Sequence, residues 1–396
     1  MAALDFPSSP TNGQVYGAYT YDSTKGAWNV TPQTQASVTT SDTPPVNPVS
    51  GDQWFYTVDG TMFVYYSDGT SSQWVEQPKS VAGGYSYYRS PNFLINGAFD
   101  IWQRGTSSTT NGVYIADRWL HSRSAGTHTV SRSTDVPDAT LPYSLSFAST
   151  SGTAPYITQR IEAANAIPLV GQTVTFSIWA KSTVGTGGLS WNSFFPTTTA
   201  DTFGAVTNDQ SGVFAATMTV GTWTRYSATF TVAAGAVRGY GVNVFRSVTT
   251  TSTTTLYAGA QLEIGTAATS FRRNAPSIQA ELAACQRYYV RYGYGAAAYL
   301  PTAGQVFNTV LAGWFLPLPV RMRSNAAADF SAASTFTAST ASGGTTAAGS
   351  TVTLTAINVD TAYVNVGWAS AQSLTAGHAT ILSVSSSGFL GFNSEL

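Results

Sequence analysis

Residues 173–182 read TVTFSIWAKS, and their reading decides the fold. β-Branched and aromatic residues alternate with polar ones, the period of two that a strand shows when one face packs on a core. Seven similar stretches lie on either side: RWLHSR (118–123), HTVSRS (128–133), YSLSFAS (143–149), YITQRIE (156–162), RYSATFTV (225–232), YGVNVFRS (240–247) and TLYAGAQLEI (255–264). Polar or glycine turns separate them. Many short alternating strands joined in this way predict a β-sandwich of jelly-roll type. Its expected bounds are residues 92–273.

Upstream, FPSSPTNGQVYGAYTYDSTKGAWNV (6–30) and PPVNPVSGDQWFYTVDGTMFVYYSDGTSSQWVE (44–76) form an internal repeat. In the second copy Trp54, Tyr56, Met62, Val64, Tyr66 and Trp74 fall at even spacing around the turns Asp59-Gly60 and Asp68-Gly69. That pattern predicts a hairpin or three-stranded meander. Residues 1–80 are therefore expected to be paired small β-modules, too small to be robust alone, that attach the protein to a larger assembly. A linker is expected over 81–91. Downstream, Ser277 is a candidate N-cap for a helix carrying Ile278, Leu282, Cys285 and Tyr289 at i, i+4, i+7 and i+11. The expected helical segment is 274–292, with its stripe either at an oligomer interface or docked on its own sandwich. Residues 293–396 return to alternating patterns (GWFLPLPVRMRS, STVTLTAIN, AYVNVGWAS) around a low-complexity stretch at 334–350 and predict a C-terminal β-domain.

Composition agrees with an all-β, multidomain chain of 396 residues. Charged residues are only 9%, against roughly 25% in average soluble proteins. Eighteen basic and nineteen acidic residues leave no long-range field to collect a phosphate backbone, which argues against nucleic acid. Weak charge favours self-association, and hence an oligomer. The single cysteine, Cys285, excludes an intrachain disulfide framework and reads as a buried thiol. The start MAALDFPSSPTNG lacks the pattern of a signal peptide, and no apolar run is long enough for a membrane span. A cytoplasmically made protein without membrane insertion is expected.

The ordered landmarks NFLINGAFDIWQRG (92–105), ADRW (116–119), QRIE (159–162), VTFSIWAKS (174–182), WTRYSATFTV (223–232), AGAQLEIGTAATSFRR (258–273) and ELAACQRYYVR (281–291) carry a resemblance. Residues 92–291 resemble C-terminal regions of phage tail fibres and related minor structural proteins with a carbohydrate-binding-module-like sandwich. The ending NSEL (393–396) resembles their acidic-residue-plus-leucine terminus, and the N-terminal repeats look like modules of phage appendages. Related sequences often carry a second acidic residue after the Asn-Gly turn; here Ala98 precedes Phe99 and Asp100, so no metal site is inferred from Asp100. The resemblance implies a virion location, a trimer with other virion proteins as partners, and contact with host surface polysaccharide. Composition implies none of these three.

Trp102, Gln103, Arg104, Asp117, Arg118 and Trp119 can be read as a glycan platform or as fold landmarks. Their apolar strand context, with Asp117 or Glu162 beside Arg104, Arg118 or Arg160, favours a buried structural role. Aromatics without an evident burial pattern are better ligand candidates. Trp191, Phe194 and Phe195 lie in GGLSWNSFFPTTTADTFG (187–204), read as a loop open to ligand contact or to packing. Tyr363, Trp368, His378, Phe389 and Phe392 line either a distal tip or an ordinary core. Hydrolysis of a glycoside needs two carboxylates about 5 to 10 Å apart, and no sequence pair signals that. His121, His128 and His378 are too sparse for a metal cluster. The expectation is thus an all-β virion protein without catalysis, metal or cofactor, recognising host glycans multivalently. The alternatives are a purely structural head fibre, capsid decoration or fibre adaptor, and a glycan depolymerase.

Overall fold

The computed structural model describes residues 6–16, 19–30, 38–58, 60–67, 69–77, 92–150, 154–185, 187–246, 252–293, 297–339, 344–356 and 358–396. The chain divides into two compact units, Met1–Tyr88 and Arg89–Leu396. The expected linker over 81–91 lies entirely outside the described residues.

In the first unit, β1 (Val15–Tyr16), β2 (Tyr19–Asp22) and β3 (Ala27–Val30) form an antiparallel sheet. Four more strands, β4 (Val38–Ser41), β5 (Gln53–Tyr56), β6 (Thr61–Ser67) and β7 (Ser72–Glu76), form a second sheet in which β4 pairs parallel to β5. Aromatic stacking holds each module, Phe6 on Trp28 and Trp54 on Phe63. Among the described apolar side chains of this unit only Trp54 is buried. So little buried surface leaves each module with a small core of its own.

The second unit begins with twelve strands: β8 (Ser107–Ser108), β9 (Val113–Tyr114), β10 (Leu120–Arg123), β11 (His128–Ser133), β12 (Ser144–Ser149), β13 (Pro155–Ile161), β14 (Thr173–Val184), β15 (Leu189–Pro196), β16 (Val206–Val213), β17 (Thr224–Thr231), β18 (Tyr240–Arg246) and β19 (Thr253–Ile264). They form two six-stranded sheets, ordered β16-β15-β18-β13-β10-β9 and β17-β14-β19-β12-β11-β8, with every pairing antiparallel. A single core fills the space between them, with Trp119, Phe147, Phe176, Ile178, Val242, Val244 and Leu262 at its centre. Each of these side chains contributes about 1.5 to 3 kcal/mol by leaving water. A short α1 (Ala163–Ala166) links β13 to β14.

The landmark residues act as locks. Asn92 donates to Ala260 O and Arg272 O, and accepts from the amides of Leu94 and Leu262. Asn96, at φ 56°, bonds Ile101 O and Asp117 O, while the Trp119 indole donates to Asn96 O. Trp102 and Trp119 are buried, as their strand context predicts.

Beyond the sandwich, α2 (Ile278–Gln286) starts at Ser277, whose hydroxyl accepts the Ala280 amide at 3.2 Å. The helix is shorter than expected. Residues 289–292, read as its last turn, form β20 (Tyr289–Tyr292), because Tyr-Val-Arg-Tyr suits a pleated surface and pairs with β28. The rest comprises β21 (Ala298–Asn308), β22 (Leu311–Pro317), β23 (Ala327–Phe330), β24 (Phe336–Ser339), β25 (Thr351–Ala356), β26 (Thr361–Gly367), β27 (Ala379–Val384) and β28 (Leu390–Asn393). These make sheets β20-β28-β23 and β24-β27-β21-β22-β26-β25 around a second core that includes Trp314, Phe336, Val364 and Leu382.

The apolar helix stripe needs correction. Cys285 and Tyr289 are fully buried within their own chain and have no surface to offer a second one. The face that α2 turns inward carries Glu281 and Cys285, with Glu281 accepting the amides of Asn96 and Ala275. Leu282 is half-buried and Ile278 is exposed, so only these two of the four candidates keep surface free. Glu395, two residues after β28, pairs with Arg104 and Arg118 of the sandwich, tying the C-terminal sheets to it.

Candidate functional site

The outer face of the β16-β15-β18-β13-β10-β9 sheet carries the most ligand-like set of side chains. Alternation puts Ile157, Val242, Val244, Leu189 and Trp191 into the core, so their neighbours face outward. Register then aligns the outward residues in rows: Ser190, Phe245 and Tyr156; Asn192, Asn243, Thr158 and Leu120; Phe194, Gly241 and Arg160.

Each row has its own chemistry. In the first, the Tyr156 and Phe245 rings lie 5.1 Å apart, tilted by 32°, and both are half-buried. In the second, the Thr158 hydroxyl bonds Asn243 Oδ1, and Asn192 Nδ2 reaches Asn208 Oδ1 at 3.4 Å. Asn192 Oδ1 is buried without a partner. An amide oxygen left so is an acceptor waiting for a donor. In the third row the Phe194 ring covers Gly241 so closely that a Cβ there would lie 2.3 Å from it. Arg160 sits over Phe203, 5.3 Å from the ring centre, and also donates to Leu396 O, to which Tyr114 Oη donates at 3.2 Å. Burial pushes the Tyr114 phenol up from its ordinary value and Glu395 adds to the shift, which keeps it a neutral donor.

The face therefore offers an apolar aromatic pair beside a row of amides and hydroxyls. Neutral amides both donate and accept, as a polyhydroxylated ligand requires, and aromatic faces take the C–H side of a sugar ring. Two nearby acids are engaged elsewhere, Glu162 with Arg287 and Asp201 with the Ala163 amide.

The aromatics chosen from sequence sit differently. Residues 189–196, read as loop, are strand β15. Trp191 points into the core and stacks on Phe230 at 4.7 Å, and Phe195 packs against the same core. Phe194 is on the outer face but lies under Phe203. Trp191 and Phe194 are buried and Phe195 is half-buried, because the sheet continues where Gly-rich flanks suggested a loop. Trp368 is buried, with its indole donating to Ala347 O. Tyr363 is half-buried on the outer face of the C-terminal sheet, its ring 4.4 Å from exposed Phe315. Sequence reading missed Tyr156, Thr158, Asn192, Asn243 and Phe245. Their signal was the outward register of YITQRIE and YGVNVFRS, which holds aromatics and an amide where a solvated face carries charge.

Comparison with solved structures finds partial likenesses at low identity. A bacteriophage CBA120 tailspike, described as an enzymatically active domain, aligns at 21% identity and TM-score 0.31, over 44% of this chain and 22% of its own. A xylan-binding module from Paenibacillus barcinonensis aligns at 12% identity and TM-score 0.29, over 45% of this chain and 96% of its own. A sugar-binding protein from Bacteroides thetaiotaomicron, so described provisionally, aligns at 12% identity and TM-score 0.33, over 44% and 100%. No protein-family model and no curated protein matches the chain. These likenesses are partial, and the functional reading rests on this chain's own side chains.

Two other clusters are structural. Asp117 is wholly buried, and burial pushes its carboxyl up to about 6 against the pull of Arg104 and Gln103. His121 and His128 are buried with ring centres 5.2 Å apart, bridging one sheet to the other. Burial, with His128 alongside, holds His121 down to about 3.

Proposed function

We propose that this protein is a non-catalytic, tail-fibre-like component of a phage virion that binds host surface glycans through the outer face of its sandwich. The observation that carries the reading is the half-buried Tyr156–Phe245 pair beside the Asn192–Asn243–Thr158 row, with one amide oxygen left unpartnered. The aromatic pair takes the apolar face of a pyranose, and the amides take its hydroxyls. The landmark resemblance of residues 92–291 supports the virion assignment. A single shallow face binds weakly; a trimer places three such faces on one appendage, and avidity supplies the rest when geometry lets them engage together.

Purified protein should adsorb to cells of a susceptible host, and Tyr156→Ala with Asn243→Ala should abolish adsorption while leaving the fold intact by circular dichroism. Incubation with isolated surface polysaccharide should release no reducing ends. Adsorption unchanged in the double variant would move binding off this face. Release of reducing ends would replace recognition by depolymerisation, and association with capsid or tail alone would leave a purely structural role.

A further inference from the structure

From a cavity on the other side of the sandwich we infer a second saccharide site, centred on Asp100. This cavity, about 540 Å³, is lined by Asp100, Tyr143, Arg273, Pro276 and Ile278 among others, within the range of small-ligand pockets. Asp100 has a side chain only 3% exposed. Its Oδ2 accepts from Arg273 Nε at 2.6 Å, whereas Oδ1 is buried with no hydrogen-bond partner. An unpartnered carboxylate oxygen is more costly than a neutral one and calls for a donor from outside the chain.

Charge selects the ligand. Arg273 holds Asp100, and Arg132, which lines a neighbouring cavity that shares Tyr143, lies 4.3 Å from the centre of the Tyr143 ring. A cationic ligand meets both guanidiniums, and an anionic one meets the Asp100 carboxylate. A neutral polyol avoids both penalties, because one hydroxyl of a vicinal pair donates to the carboxylate while the next accepts from a guanidinium. Pro142, Pro276 and Ile278 supply the apolar rim against which a sugar ring packs.

Tyr143 also lines a neighbouring cavity of about 470 Å³, walled by the hydroxyls of Ser131, Ser133, Thr134 and Ser146. The two cavities meet at Tyr143. A ligand of two or more sugar residues running from Asp100 across Tyr143 to this hydroxyl wall fits the arrangement better than a single ring. None of these residues belongs to the Tyr156–Phe245 face, so one sandwich carries two independent sites. For its ligand class the inference leans on the glycan reading above, but its test separates the two.

The full-length protein, isotope-labelled for amide NMR, is titrated with cellobiose, maltose, lactose and the methyl glycosides of glucose, galactose, mannose and N-acetylglucosamine. At least one probe is expected to shift the amides around Asp100, Tyr143 and Ile278. Asp100→Asn, which presents a donor in place of an acceptor, should weaken that response tenfold or more. Ile278→Trp, at an exposed position, should fill the cavity and do the same without disturbing the fold; it decides the matter if Asp100→Asn proves unstable. Asn243→Ala should leave the Asp100 response intact. Shifts confined to Tyr156, Asn192 and Asn243 would overturn the second site alone, and shifts at neither place would overturn both. A response at Asp100 that survives Ile278→Trp would also refute it.

Discussion

Replacing His121 with phenylalanine tests how the sandwich is closed at its His121–His128 edge. His121 is fully buried, faces Phe147 and His128, and has no hydrogen-bond partner on either ring nitrogen; Arg123 donates to His128 Nδ1 at 2.7 Å. A proton on His121 therefore meets low dielectric, a second imidazole and a guanidinium beyond it. Its value falls from 6.5 to about 3. Because the unfolded chain binds this proton more readily, stability falls as pH drops from 6.5 towards 3, by about 1.4 kcal/mol per pH unit and about 5 kcal/mol in all. His128 is shifted in the same direction. Asp117 opposes them: its folded value of about 6 lies above 3.8, so its protonation stabilises the fold by about 3 kcal/mol as pH falls between those limits. Only the difference between wild type and His121→Phe isolates the histidine. Urea unfolding followed by tryptophan fluorescence should show the variant equal to wild type or better near neutrality, since an unsatisfied polar ring is removed. Near pH 4.5 it should exceed wild type by about 2.5 kcal/mol. Parallel loss of stability in the two proteins across this range would refute the reasoning.

Glu395→Gln leaves Arg118 without its anion and Arg104 with Asp117 alone, and should cost about 3 to 5 kcal/mol in urea unfolding, whereas a loss below about 1 kcal/mol would mean that solvent reaches the cluster. Gly241→Ala drives a methyl into the Phe194 ring and should cost about 1 to 3 kcal/mol while weakening glycan binding; a neutral effect would mean that the outer face is looser than described. Cys285 is fully buried and burial pushes its thiol well up, so a thiol reagent should label it only when urea unfolds the chain. Deleting residues 1–80 should leave a folded second unit that no longer enters virions, and normal incorporation would remove the attachment role from the N-terminal modules.

The strands were legible wherever apolar and polar residues alternate over six or more positions. TVTFSIWAKS and HTVSRS open at the residues where β14 and β11 begin, and TLYAGAQLEI ends where β19 does. Strand β15 was not legible because Ser, Asn and a bulge at residues 192–194 interrupt its period, and its partner β16 is almost wholly polar. Helix α2 was overextended because the spacing of Tyr289 from Cys285 suits a helix, although long-range pairing with β28 places it on a strand. The ion pairs were half legible. Arg104 meets Asp117 as expected, but Glu162 turns to Arg287, and the anion for Arg118 comes from Glu395, 277 residues away, a partner no local pattern reveals. The candidate face escaped notice for a related reason: its five side chains become neighbours only once β13, β15 and β18 are in register.

The central claim is that the outer sheet face holds the glycan, and a crystal structure of the protein with an oligosaccharide cut from its host's surface polysaccharide tests it most directly. The account predicts a sugar ring on the Tyr156–Phe245 pair, with hydroxyls bonded to Asn243 and to the unpartnered Oδ1 of Asn192. An oligosaccharide bound elsewhere, with this face empty, would contradict it.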